Sequence, residues 1–472
     1  MKRSFKVLMA LVLTLSVLNL KAEQRDTTAA RAIQEQISRY RNELQYPQSV
    51  DRFYKQAGYK MMWVAPIHTK TPLLEGMLLL DCMLQFGLSH ADYHPAELTY
   101  DHVRKLTEEP NRSTLTERAG FDVLFTDALI SFMNNLHYGK LNATYPASRI
   151  DSGTDLEFNA GNFLLASIKN KDFMTTLLSV QPQSEAYIHL QGYMRLLKGQ
   201  YLDDCYEVPE KEVRQIAINM ERLRWLRNTD PFYLQINIPS YTLKLQEADS
   251  TYTFKLIVGK PEAPTPTLES KITYFTTAPE WKVPQKIFYR ELLPKAIKDS
   301  NYLYRNHYAI YDEKGNYVET NPAVLKQIKK ARAGYSMRQS SGCDNALGQI
   351  VFRFPNSFDI YLHDTPEQKL FKKEERAFSH GCVRVEQAQQ LAELLLKYDG
   401  AAEKIDDVRL AIKEDKTKNF IFKRPVPIEI TYLTCEMKEG ILVTYKDLYN
   451  MDERLEMALY GTEVPFVVNR KK

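Results

Sequence analysis

The periodicity of apolar residues changes once along this chain, near residue 230, and that change limits the folds open to it. Before it, residues 33–44, 73–86, 114–136, 162–178 and 211–226 carry apolar side chains at mixed three- and four-residue spacing, the pattern of helices with one buried face. Gly87, Pro110-Asn111 and Ser152-Gly153 supply turns between them. The last of these segments ends in Arg222, Arg224 and Arg227, cations suited to a helix C-terminus, before the break at Asn228-Thr229-Asp230-Pro231. After it, Tyr233-Leu234-Gln235-Ile236-Asn237-Ile238 alternates, and residues 241–247 and 251–258 repeat the pattern. Further strands are expected at 272–276, 308–311, 350–354, 358–362 and 428–435. The pattern predicts an α+β chain, with a mainly helical domain over 23–230 and a β-rich domain over 231–465. Residues 284–342 read as an insertion in the second domain, and long excursions from a sheet often carry function. A helix is expected there at 321–333, with Lys326, Lys329, Lys330 and Arg332 on a solvated face.

Residues 1–22 read as a secretory signal. Lys2, Arg3 and Lys6 precede a mainly apolar run over 7–20, too short for an ordinary membrane span. Cleavage is expected after Ala22; Leu20 is bulky for a cleavage site, so retention of the segment as an N-terminal membrane anchor is the alternative. The signal carries four of the 63 basic residues and none of the 59 acidic ones, so the remainder is balanced in charge. That balance gives no case for a nucleic-acid partner. Five cysteines, Cys82, Cys205, Cys343, Cys382 and Cys435, are widely spaced and odd in number, which leaves at least one thiol free or paired between molecules. No CxxC is present, so neither a zinc site nor a thioredoxin-like motif is indicated.

The chemistry concentrates in Tyr361-Leu362-His363-Asp364-Thr365-Pro366 and Ser379-His380-Gly381-Cys382-Val383-Arg384-Val385. A thiol needs a base to become a nucleophile at neutral pH, because its ordinary pKa is about 8.5. His363 and His380 are the candidates. His380 lies two residues from Cys382, and in an extended strand the two would point the same way. His363 ends an expected strand that would lie beside the one leading into Cys382, so it is assigned as the base, forming an ion pair with the thiol. His380 is then a substrate or supporting contact. Gly381 permits unusual dihedrals before the nucleophile. The N–H groups of Gly381 and Cys382 are expected to face an oxyanion. Arg384 would hold a substrate carboxylate or brace the loop. A helix over 386–398 places the motif at a strand-to-helix transition.

These motifs resemble those of the large Gram-negative L,D-transpeptidases, whose catalytic domain follows a helical scaffold domain. The resemblance extends to Asn219-Met220-Glu221-Arg222, Glu280-Trp281-Lys282-Val283-Pro284, Asn345-Ala346-Leu347-Gly348 and Phe352-Arg353-Phe354-Pro355. It implies a periplasmic acyltransferase with no metal or organic cofactor. Cys382 would attack the bond between a diamino acid and the terminal D-Ala of a peptidoglycan stem peptide, and a second stem's amine would resolve the thioester into a 3→3 cross-link. Donor and acceptor stem peptides, and cell-wall synthesis proteins, are the implied partners, and carbapenems the implied inhibitors. Tyr361, Trp281, Ser379, His380 and Arg384 would contact substrate. Departures are His380, where close relatives with this scaffold carry a small polar residue although the wider family has histidine, Cys343 in place of a small residue or proline, and no recognisable peptidoglycan-binding insert within 185–215. Resolution by water, giving an L,D-carboxypeptidase, or by a lipoprotein amine uses the same nucleophile. A non-catalytic wall-binding protein would lack thiol-dependent acylation. A papain-type peptidase places its cysteine before its histidine, the reverse of the order here.

Overall fold

A 24-residue helix, Leu115–Tyr138, runs through the centre of the N-terminal unit, opened by a reciprocal capping box between Thr114 and Glu117. Its residues are buried around most of its circumference, as expected for a helix without a strong polar face. Two fully buried carboxylates tie the surrounding loops to it. Asp122 accepts the N–H groups of Met62, Trp63 and Val64 and the Tyr54 hydroxyl. Asp127 accepts those of Gln45 and Tyr46. Loop donors buried beside a helix must find such acceptors.

The computed structural model describes residues 27–64, 70–198, 211–228, 230–247, 250–299 and 301–461. The expected signal segment and Cys205 lie outside them. Two compact units divide the chain after Arg227. The first is helical. The segment expected as one helix over 162–178 is two, Ala160–Ser167 and Phe173–Leu178, separated by the polar turn Lys169-Asn170-Lys171. Helices Pro47–Gln56, Tyr100–Glu108 and Glu185–Lys198 are additions to the sequence reading. Helix Lys211–Arg224 ends in arginines, but they do more than offset a helix dipole. Arg222 pairs with Asp452 at 2.6 Å, and the fully buried Arg224 pairs with Glu221 at 3.3 Å and donates to the Phe86 carbonyl. Residues 434–444 and 450–461 also belong to this unit, whereas the sequence reading continued the β-rich domain to 465. No helix among the described residues is long and apolar enough to cross a membrane.

The second unit is β-rich, so the architecture is α+β. Its strands are β1 (Phe232–Asn237), β2 (Thr242–Glu247), β3 (Ser250–Gly259), β4 (Leu268–Thr277), β5 (Trp281–Lys282), β6 (Tyr308–Asp312), β7 (Tyr335–Gln339), β8 (Ile350–Arg353), β9 (Leu362–His363), β10 (Ala377–Ser379), β11 (Val383–Val385) and β12 (Lys418–Thr431). Nine of them form one sheet in the order β10-β3-β11-β9-β8-β4-β12-β1-β2, and β2 also pairs with β3, which closes the sheet. Its interior holds Leu234, Leu256, Ile272, Phe352, Leu362, Val383 and Val385. Helix Ala388–Tyr398 covers it with Leu391, Ala392 and Leu395.

The insertion adds β6 and β7 to β5, which immediately precedes it, in a separate sheet of order β5-β7-β6, over a core that includes Phe288, Leu293, Ile310, Leu325, Ile328 and Met337. Its helix, Pro322–Ala331, buries Leu325 and Ile328 and leaves Lys326, Lys329, Lys330 and Arg332 exposed.

Candidate active site

Strand alternation decides which side chains meet at the motif. Phe352, Leu362, Val383 and Val385 point into the core. Their neighbours Arg353, Tyr361, His363, Cys382 and Arg384 therefore share the opposite face. β11 runs parallel to β9 with Val383 opposite Leu362 and Arg384 opposite His363. Continued by one residue, this register sets Cys382 beside Tyr361, and Val383 N–H donates to the Tyr361 carbonyl. β8 runs antiparallel to β9 with Phe352 opposite Leu362, so Arg353 falls on the other side of Tyr361. Arg353, Tyr361 and Cys382 make one cross-strand row.

This register corrects two expectations. The strand carrying His363 lies beside the one that follows Cys382, and Tyr361, rather than His363, stands directly across from the thiol. Strand structure at 358–362 is reduced to Leu362–His363, because Asp359 takes a left-handed conformation and Asn356 Oδ1 accepts the N–H groups of Phe358 and Ile360 in a tight turn. His363 is diagonal to Cys382, and no hydrogen bond joins them among the described residues.

His363 is buried, and its Nδ1 lies 2.6 Å from the Asp364 carbonyl. A carbonyl only accepts, so Nδ1 carries the proton and Nε2 keeps its lone pair. Burial, with Arg384 and Arg353 nearby, pushes the imidazole from its ordinary 6.5 down to about 3, against the opposite pull of the Asp364 and Leu347 carbonyls. The Cys382 thiol is pushed up by burial, and Tyr361, Arg353 and Arg384 offset only part of that. Both shifts favour the neutral thiol and the neutral imidazole over the expected thiolate–imidazolium pair. The Tyr361 hydroxyl lies within hydrogen-bonding reach of both the Cys382 sulfur and the Trp281 indole N–H. Burial raises its own pKa, so it stays protonated. The Tyr361 ring centroid is 5.6 Å from that of His363. Trp281 sits on β5, which pairs with β7 of the insertion, so the small sheet reaches the site through this residue.

Three other expectations shift. Gly381 has φ +114°, a value that strains any residue with a Cβ, and this kink ends β10 before Cys382. His380 therefore does not point with Cys382; it is exposed and meets Glu291 of the insertion at 2.7 Å. Gly381 N–H donates to Ser379 Oγ at 3.2 Å, so it is not directed at an oxyanion, while Cys382 N–H has no acceptor among the described residues. Ser379 is buried, and its hydroxyl donates to the Cys382 carbonyl. It braces the loop from within instead of facing substrate. Arg384 donates to Glu367 at 2.5 Å with its side chain only 17 % exposed, which matches bracing and leaves little of it for a substrate carboxylate. Arg353 belongs to this face, and sequence reasoning passed over it as part of a strand. The available signal was a charged residue set between Phe352 and Phe354 in an otherwise apolar strand.

Gly381→Ala tests the kink. A built Cβ meets nothing closer than 3.6 Å, so the cost is conformational, about 1–3 kcal/mol, not steric. The expected result is a lower thermal midpoint together with slower thiol acylation; an unchanged midpoint would show that the loop does not need this conformation.

Comparison with known proteins gives two family matches. The model of the L,D-transpeptidase catalytic domain matches residues 231–423, and that of the Scaffold domain matches residues 48–194. A Haemophilus influenzae protein named "Putative L,D-transpeptidase" is 31 % identical over 355 residues, covering 73 % of this chain and 69 % of that one. With a helical region matching the one model, a closed sheet matching the other, and this identity across most of both chains, the protein belongs to the L,D-transpeptidase family and joins its catalytic domain to a Scaffold domain.

Proposed function

We propose that the protein is an exported peptidoglycan L,D-transpeptidase with Cys382 as nucleophile and His363 as the proton-transfer group. The observation that supports this best is the cross-strand placement of Cys382 beside Tyr361, with the Nδ1-protonated His363 on the same face. Sulfur attacks the carbonyl of the diamino acid that precedes the terminal D-Ala, and the thiol proton passes to His363 Nε2. The proton then moves to the amide nitrogen as the C–N bond breaks, and D-Ala leaves with a thioester remaining on Cys382. The side-chain amine of a second stem attacks this thioester, His363 takes its proton, and the C–S bond breaks to give a 3→3 cross-link and the free thiol. Cys382 N–H, which has no acceptor among the described residues, is assigned as the donor to the oxyanion. Tyr361 donates to the sulfur and Trp281 orients Tyr361. Catalytic hydrogen bonds often tighten only when substrate binds, so the diagonal spacing of His363 is compatible with this role. Carbapenems are expected to acylate the same sulfur.

Mass spectrometry of a disaccharide-tetrapeptide incubated with the protein tests this reading. A dimer that has lost one D-Ala supports 3→3 transpeptidation. Trimmed monomer alone would replace it with an L,D-carboxypeptidase, in which water resolves the thioester.

The neutral resting pair makes a separate prediction. Alkylation of Cys382 by iodoacetamide, followed on its own peptide, will climb about tenfold per pH unit from pH 6 to 8, because only the thiolate reacts. A rate that is flat with pH on the acid side would instead indicate a preformed thiolate–imidazolium pair.

A further inference from the structure

Among the described residues, Arg353 is a cation on the site face whose charge has no carboxylate partner. Its guanidinium carbon lies over the Tyr361 ring, 4.2 Å from the centroid, so the group is held against the residue that reaches Cys382. No ion pair or side-chain hydrogen bond engages its five N–H donors among the described residues, and the side chain is only partly buried. Arg384, two residues beyond Cys382, is already bonded to Glu367. A guanidinium held over an aromatic ring, with its N–H donors unengaged, can grip a carboxylate at two points. Register supplies the position: Arg353, Tyr361 and Cys382 occupy adjacent strands in one row, so the open donors sit two strands from the sulfur on the face substrate must approach.

We propose that Arg353 is the carboxylate-recognition residue of the donor subsite, a specificity determinant that holds the stem peptide while Cys382 attacks. This rests on the transpeptidase reading above. With a diamino acid such as meso-diaminopimelate, two carboxylates flank the scissile amide, that of the leaving D-Ala and that on the side chain of the diamino acid. The shared chemistry is a carboxylate about one residue from the attacked carbonyl.

The test uses the full chain and three disaccharide-tetrapeptide donors: unmodified, amidated at the terminal D-Ala, and amidated at the diamino acid side chain. Acyl-enzyme formation is timed by mass spectrometry for wild type, Arg353→Gln and Arg353→Lys. On the unmodified donor, Arg353→Gln is expected to lower kcat/KM about 20- to 100-fold, mostly through KM, since a charged hydrogen-bonded contact is lost. Arg353→Lys recovers part of this by retaining the charge. On whichever amidated donor lacks the recognised group, the difference between wild type and Arg353→Gln shrinks to about threefold, and that donor identifies the source. Any effect of the lost charge on the thiol is common to all three donors and cancels in the comparison. An equal loss on all three donors, or equal losses for the Gln and Lys variants, overturns the proposal. Absence of acyl-enzyme from wild type with every donor removes the transpeptidase reading itself, and the subsite with it.

Discussion

Replacing Cys382 by alanine will abolish both acyl-enzyme and D-Ala release, a fall of at least about 10³-fold in turnover, because no other group on this face can form a thioester. The substitution removes one sulfur from a partly buried site and leaves Val383 and Val385 in the core, so the fold is expected to persist. The control is Cys343→Ser. Cys343 is an exposed free thiol, and its loss should leave turnover within about twofold. If the alanine variant at 382 still releases D-Ala while the Cys343 variant does not, the nucleophile has been misassigned. Loss in both variants would point to a general effect on folding, which circular dichroism of each would detect.

The second large effect is expected at His363. His363→Gln preserves a donor for the Asp364 carbonyl but has no lone pair of useful basicity, so acylation should fall about 10²- to 10⁴-fold. The same substitution makes a stability prediction of definite sign. The folded imidazole titrates near 3 and the unfolded one near 6.5, so below about pH 6.5 the unfolded chain takes up a proton that the folded chain refuses. Stability associated with this residue is complete above pH 6.5 and declines as pH falls toward 3. Urea midpoints measured at pH 7, 5 and 4 should therefore fall less steeply for His363→Gln than for wild type. Parallel declines would mean that His363 is more accessible to protons than its burial indicates.

The division into helical and β-rich halves was legible because periodicity is a local property. Residues 211–226 and 233–238 show spacings of 3.6 and 2 whatever packs against them. The motif was legible for a similar reason: Gly381, Cys382 and His363 are identities, and thiol chemistry needs those identities. Short elements were less visible. Helices such as Pro47–Gln56 take much of their stability from the central helix they pack on, and a strand of two residues, Leu362–His363, is defined by its neighbours.

What the linear chain determined by itself is the order of the two architectures and the chemical vocabulary of the site. Which groups meet was decided by the sheet. Register placed Tyr361, and not His363, directly beside the sulfur, and brought Arg353 from a strand eight residues earlier into the same row. The kink at Gly381 turned His380 away toward Glu291. Burial lowers the basicity of His363 and raises the thiol pKa, which favours a neutral resting pair over an ionic one. Pairing with Glu367 made Arg384 a brace and left Arg353 open. The physical reason is common to all four: pKa, partner and direction depend on contacts between segments far apart in sequence, and a one-dimensional pattern contains side-chain identity and spacing but not the dielectric or the neighbours that packing supplies.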